Sequence, residues 1–457
     1  MAILIAAPGS GSGKTTLTLA ILAALQRRGL RIQPFKVGPD YIDPLFHTAV
    51  AGVGSRNLDP VLTSEDYVQR CYRHHAYGKD GAVIEGVMGL FDGRVGESEH
   101  WGSSAHVAQL LQIPVVLVIN AAGMGQSVAA LVHGFRSYDP QLRLAGVILN
   151  QVRSERHAQI LEEALRAVQV PVLGMVHGDP RFTLPSRHLG LVPVAELPEF
   201  TKLIPQLAEQ ADKSLDWETL LPLIQEVPST KDPLWAVPPL ALPQPLRIAV
   251  AQDLAFCFYY ADNLDLLQHL GAEVVPYSPL QQGLWPSEDC QGLWLGGGFP
   301  EMFAAQLAET IQTRKPSQRD LIIYAECGGL MVLGQSLQDL EGTDHRMAGR
   351  FPFIAKMHSH LTLGYRTAHV LHSSPVVEAG QMLQGHEFHR SQIQPFSPFS
   401  SPTFTSIYTW RSSQEGWTSS SIHASYLHLH WGASPKLGTR FLQSCNASSS
   451  DQAKTFC

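Results

Sequence analysis

Short apolar runs recur along the first half of the chain, and stretches with helical spacing separate several of them. Residues 2–7, 31–36, 82–85, 115–120, 145–150 and 170–175 read as strands. Residues 15–28 and 154–168 are amphipathic and read as helices. This alternation predicts an α/β fold with a parallel sheet covered by helices on both faces. Between 227 and 245 come six prolines, which neither a helix nor a central strand accommodates, so the segment reads as a linker. A new strand, "LRIAVAQD", starts at Leu246, and residues 292–295 and 321–325 continue a second α/β unit. From about Arg366 the periodicity weakens. The predicted organisation is a domain over 1–227, a linker over 228–245, a second domain over 246–440 and a polar, Ser-rich, disordered tail over 441–457.

Composition narrows the function classes. Hydrophobic residues make up 44% of the 457, enough for two large cores, and no apolar run approaches the ~20 residues that cross a bilayer. The net charge of -7 and the lack of a basic block argue against nucleic acid as a partner. The apolar start is too short for a secretory signal. Six cysteines without CxxC or zinc spacing suit a reducing cytoplasm.

Two segments carry chemistry. "ILIAAPGSGSGKTTLTLAIL" is a strand, a glycine-rich loop and a helix. Gly11, Gly13, Lys14, Thr15 and Thr16 match the end of a P-loop, whose backbone N–H groups cradle phosphates, with Lys14 for the terminal phosphates and Thr15 for Mg²⁺. The strict pattern places glycine where this chain has Pro8, so Gly9 or Ala7 supplies the first bend. Asp40 and Asp43 of "GPDYIDP", and Glu85 and Asp92 of "VIEGVMGLFDG", follow strands whose carboxyl ends gather beside that loop. Each is either a turn or cap residue or a partner of Mg·ATP. Glu85 is the best metal candidate, because a carboxylate ending an apolar strand is hard to bury without a cation.

The second segment is "YAECGGLM". Cys327 is either a small core residue or a nucleophile, and the flanking glycines favour a strained strand-to-helix elbow, which resembles the one on which class I glutamine amidotransferases place a cysteine. A thiol needs a base, and "HASYLHLHW" offers His423, His428 and His430. Gly297 and Gly298 of "LWLGGGFPE", with the amide of Gly328, are candidates for an oxyanion hole. "GHEFH" mimics a zinc motif, but its second histidine falls at i+3 rather than i+4. A structural or substrate-contacting role is expected there.

Taken in order, "FKVGPDYIDPLFH", "SRNLD", "EGVMGLFDG", "LPSRHLGLVP", "FCFYYADNL", "GGGFPEMFA", "AECGGLM", "LGYR" and "GHEFHRS" resemble the cobyrinic acid a,c-diamide synthase family. The resemblance implies a dethiobiotin-synthetase-like ATP domain joined to a flavodoxin-like class I glutaminase domain. It implies ATP and Mg²⁺ as cofactors, with cobyrinic acid and L-glutamine as small-molecule substrates. The reaction it implies activates a carboxylate as an acyl phosphate and traps it with ammonia that crosses between the sites. It assigns the base to His428. Many glutaminases carry an acidic residue two positions after that histidine, and here the residue is His430, so a third triad member is missing. A polyanionic substrate calls for basic residues, and Arg187 and His188 are the suggestion. Hydrogenobyrinic acid or nickel-sirohydrochlorin would suit the same motifs. From another class, a P-loop regulatory or partitioning ATPase would carry a further loop lysine where this chain has Gly9, and would have no use for a glutaminase domain. The sequence does not fix the oligomeric state.

Overall fold

Five apolar residues, Ala2–Ala6, form the central strand of the first sheet and are almost wholly buried in the computed structural model. The structure describes the chain except residues 1, 95–99, 188–189, 226–227, 229–230, 243, 314–320, 397–404, 411–412 and 456–457. It divides into two compact units, Met1–Leu234 and Trp235–Cys457.

The first unit holds seven strands: β1 (Ala2–Ala6), β2 (Ile32–Val37), β3 (Arg56–Leu58), β4 (Gly81–Glu85), β5 (Val115–Asn120), β6 (Leu144–Val152) and β7 (Val172–His177). Their order is β3-β2-β4-β1-β5-β6-β7, and every pairing is parallel. The short edge strand β3 has too few residues to show a pattern in the sequence. Parallel pairing brings the ends of β1, β2 and β4 to one edge, so Lys36, Glu85 and the loop after Ala6 become neighbours across the sheet. Helix α1 (Lys14–Arg27) starts at that edge behind Gly13, and α2 (Asp43–Ala51) starts beside it.

In the second unit the strand order is Ala272–Tyr277, Leu246–Ala251, Gly292–Leu295, Ile322–Glu326, Ile422–Ser425 and Trp417–Thr418, parallel except for the last pair. Two apolar clusters pack around it, one containing Cys327, Leu330 and Leu295, the other Trp294, Tyr324, Leu429 and Trp431. Beyond Arg366 the weak periodicity hides a long antiparallel hairpin, Phe353–Val370 with Met382–Pro395. A register shift between Met357 and Thr362 and a mixed burial pattern blur its alternation. The expected disordered tail is overturned. Helix Lys436–Thr455 occupies it, and Leu437, Phe441, Leu442 and Cys445 are buried at helical spacing. No helix among the described residues is long and apolar enough to cross a membrane.

Candidate active sites

The loop after β1 turns through Gly11 (φ 78°) and Gly13 (φ 91°), left-handed angles that glycine adopts without a Cβ penalty. No side chain caps α1, so its first N–H groups remain available to a phosphate. Lys14 Nζ donates to the carbonyls of Gly9 (3.2 Å) and Met88 (2.5 Å). Burial, and then the charge of Lys36, lowers its pKa. Thr15 Oγ1 donates to Glu85 Oε1 at 2.6 Å and lies 3.4 Å from Asp43 Oδ2. Thr16 Oγ1 donates to the Phe182 carbonyl at 3.5 Å. Asn150 Nδ2 donates to the Ser12 carbonyl at 3.1 Å and fills the space where a Cβ on Gly13 would stand. All of this opens on a cleft of about 580 Å³.

Sequence reasoning missed the cation at the centre. Lys36 Nζ lies 2.6 Å from Asp43 Oδ2, 3.0 Å from Glu85 Oε1 and 3.9 Å from Asp40 Oδ2. Burial opposes its charge, but Asp43, Glu85 and Asp40 together push its pKa up. Glu85 is fully buried; burial works against its ionisation, yet Lys36 and His47 hold its carboxyl well below the usual range. His47 Nε2 is 2.7 Å from Glu85 Oε2. Burial, then repulsion from Asp40, pushes Asp43 up. A lysine ending the buried strand β2 was a readable signal by the argument that selected Glu85; His47, on α2, gave none.

The remaining acidic candidates are partly architectural. Asp40 Oδ1 accepts the N–H groups of Ile42 (2.8 Å) and Asp43 (3.1 Å), and Asp92 Oδ2 accepts that of Gly89 (2.8 Å). Arg187 does not extend freely toward a ligand, because both its terminal nitrogens bind Glu196, at 3.1 and 2.6 Å. His188 lies outside the described residues.

In the second unit, strand Ile322–Glu326 runs into Cys327 (φ 50°, ψ −101°) and then helix Gly328–Leu333. A positive φ on a residue with a Cβ is the strained elbow the sequence predicted. A Cβ on Gly329 would stand 2.2 Å from the Leu295 carbonyl, and one on Gly328 3.4 Å from the amide nitrogen of Gly298. The amide nitrogen of Gly298 therefore lies close to Gly328. A Cβ on Gly297 would meet His428 Cε1 at 2.5 Å, so that imidazole packs on the glycine corner. Burial, then Glu301, pushes the Cys327 thiol up, while burial, then His386 and His389, lowers His428 to about 3. The histidine is thus neutral and has a lone pair to accept a proton.

The other two histidines of that segment serve elsewhere. His423 Nδ1 is 2.7 Å from Ser374 Oγ, and His430 packs tilted against Tyr260 and lies 3.9 Å from Asp262. No acidic residue stands at position 430, but Glu326 Oε2 lies 3.8 Å from His428 Nδ1. That carboxylate comes from another strand, so spacing from the histidine could not reveal it. In "GHEFH", Glu387 pairs with Arg366 at 2.5 Å and His389 stacks on Tyr426 at 3.8 Å. The carbonyl of Phe388 is 3.7 Å from Cys327 Sγ. Glu387, His389 and Tyr426 line a cleft of about 550 Å³.

Two family models match these two regions: a CobQ/CobB/MinD/ParA nucleotide binding domain over residues 3–192, and a CobB/CobQ-like glutamine amidotransferase domain over residues 247–436. The cobyrinate a,c-diamide synthase of Gloeobacter violaceus is 52% identical over 98% of this chain and 97% of its own length. The chain belongs to the cobyrinate a,c-diamide synthase family. Within the family, the Synechococcus cobyrinate a,c-diamide synthase is 45% identical over 97% of the chain and 98% of its own length. A hydrogenobyrinate a,c-diamide synthase from Streptomyces coelicolor is 41% identical over 98% of each. The family pairs an ATP-binding domain with a glutamine amidotransferase domain, so this chain is a glutamine-dependent ligase rather than a regulatory ATPase.

Proposed function

We propose that the protein amidates the a and c acetate carboxylates of cobyrinic acid, taking ammonia from glutamine and driving the reaction with ATP. The reading is carried by the pairing, in one chain, of a phosphate cradle ringed by carboxylates with a cysteine on a strained elbow and a buried neutral histidine packed on the neighbouring glycine corner.

In the first unit a substrate carboxylate oxygen attacks the γ-phosphorus of ATP and ADP leaves. Ammonia then adds to the acyl carbon, and phosphate departs with the electron pair of the C–O bond. Lys14 offsets the charge that gathers on the phosphates. The donor set fits Mg²⁺: Asp40, Asp43 and Glu85 set three carboxylates against the two ammonium groups of Lys14 and Lys36, and the Thr15 hydroxyl stands among them. Thr15, Asp43 and Glu85 would hold the ion, which supplies charge neutralisation at the phosphates. Lys36 and His47 keep the carboxylates in place.

In the second unit His428 takes the Cys327 thiol proton as sulfur adds to the glutamine amide carbon. The N–H groups of Gly298 and Gly328 receive the oxyanion, and Gly297 leaves room for the imidazole. His428 returns its proton to the leaving nitrogen, ammonia departs, and water cleaves the thioester to glutamate.

The test is Cys327→Ser, assayed with glutamine and with ammonium salt side by side. Glutamine-dependent synthesis should fall by about 10³-fold or more while ammonia-driven synthesis persists. Equal losses would refute the nucleophile role. The similarity to a hydrogenobyrinate enzyme supports a second reading, the metal-free macrocycle. Mass analysis of products from cobyrinic and hydrogenobyrinic acids separates the two.

A further inference from the structure

A histidine that exchanges protons with a thiol must present one nitrogen to sulfur and have its other nitrogen held, or the ring samples the wrong tautomer and orientation. We propose that Glu326, the residue immediately before the nucleophile, is the positioning residue for His428, replacing the acidic group that the chain lacks at position 430. The proposal rests on the Cys327–His428 reading above.

Four observations lead there. The first is the carboxylate's own anchoring. Glu326 Oε1 accepts the Leu429 N–H at 3.0 Å and also the Tyr324 hydroxyl. Those bonds fix the carboxylate plane and leave Oε2 as the oxygen on the imidazole side, 3.8 Å from Nδ1. Leu429 directly follows His428, so one carboxylate braces the backbone beside the histidine and faces its ring.

The second is the opposite face of the ring. Its Cε1 and Nε2 border Gly297, where a Cβ would stand 2.5 and 3.2 Å from them. Nδ1 therefore faces the carboxylate while Nε2 faces the glycine corner beside the cysteine elbow.

The third is the path of the chain. Glu326 pairs in register with Ser425, so the segment after Ser425 carries His428 across the end of strand Ile322–Glu326. The left-handed turn at Cys327 sends the two adjacent side chains apart. The carboxylate joins Tyr324 and Leu429, while the thiol joins the cluster of Leu295 and Leu330.

The fourth concerns the rival acids. Glu387 is held by Arg366 at 2.5 Å, and Asp262 faces His430 at 3.9 Å. Glu326 and His428 are only 3% and 1% exposed, so little solvent screens them from each other. Burial pushes the Glu326 carboxyl up to about 7, and its bonds from the Leu429 N–H and the Tyr324 hydroxyl offset part of that rise. The separation exceeds a hydrogen bond by about 0.8 Å, a gap of the kind that closes when substrate fills a catalytic site.

Glu326→Gln preserves shape and an acceptor for the Leu429 N–H but removes the charge. The experiment measures kcat and KM for glutamine hydrolysis, and the ammonia-driven amidation rate, in Glu326→Gln, Glu326→Asp and Cys327→Ser full-length protein. In Glu326→Gln, kcat should fall by about 10²–10⁴-fold with KM within about threefold, and ammonia-driven synthesis should persist. Glu326→Asp retains the charge and should stay above Glu326→Gln. Near-parental glutamine kcat in Glu326→Gln, or equal loss of the ammonia-driven rate, would overturn the proposal, as would Asp falling below Gln. Cys327→Ser separates the two claims. Glutamine turnover surviving in the serine variant removes the underlying reading, whereas its loss there beside an active Glu326→Gln removes the positioning role alone.

Discussion

Gly297→Ala tests how closely the glutaminase half depends on the seating of one ring. The added methyl would stand 2.5 Å from His428 Cε1, 3.2 Å from Nε2 and 3.2 Å from the Phe258 Cβ. Carbon atoms rest at about 3.5 Å or more, so the imidazole must retreat by about 1 Å. The backbone cannot yield instead, because the Gly297 carbonyl accepts the N–H groups of Cys257 and Phe258, both at 3.0 Å. A displacement of about 1 Å in a catalytic group lowers rate by about 10²-fold, or about 2.7 kcal/mol in the barrier. Overpacking should destabilise the fold by about 1–3 kcal/mol, which leaves it folded if its stability is ordinary. The assay is glutamine hydrolysis and ammonia-driven amidation on the same preparation, with a thermal melt as control. Glutamine turnover should fall by about 10²-fold and ammonia-driven synthesis should hold. Unchanged glutamine turnover in a folded variant would refute the placement of His428 against the glycine corner.

Three further outcomes follow from the same physics. Lys14→Ala should lower amidation with either nitrogen source by about 10³-fold, because no acyl phosphate forms without it; normal ammonia-driven synthesis would remove the P-loop assignment. Lys36→Met strands two buried carboxylates, so denaturant unfolding should show a loss of about 3–5 kcal/mol, and a neutral result would mean that they do not depend on it. Burial pushes Glu415 up to about 8, above its unfolded value, so the folded chain holds a proton that the unfolded chain has lost between those values. Stability from this group is full below about pH 4.5 and is lost as pH rises towards about 8. The melting midpoint of Glu415→Gln should therefore fall less between about pH 5 and about pH 9 than the parent's, and parallel curves would contradict the assignment.

The parts of the molecule that were legible in the sequence are those in which neighbours in the chain are neighbours in space. The cradle from Ala2 to Lys14 and the elbow around Cys327 each need only a strand, a few glycines and a helix start. Lys36 and Glu326 act through parallel register, which places strand ends side by side without marking them in the sequence, and His47 reaches Glu85 from helix α2. Arg187 looked available only because Glu196, nine residues on, carries no visible sign of pairing with it. Helix Lys436–Thr455 is a different case. Serine is frequent in its later part and masks the face traced by Leu437, Phe441, Leu442 and Cys445.

The backbone angle at Cys327 also limits what can ever stand there. A left-handed φ on a residue with a Cβ costs about 1–2 kcal/mol, and a β-branched side chain fares worse. Glycine would relieve that strain, while serine and alanine would inherit it. Threonine, a hydroxyl nucleophile in other proteins, is therefore barred by shape before its chemistry matters. Glycine at this position would keep the turn and remove the thiol, which would leave a synthetase dependent on free ammonia.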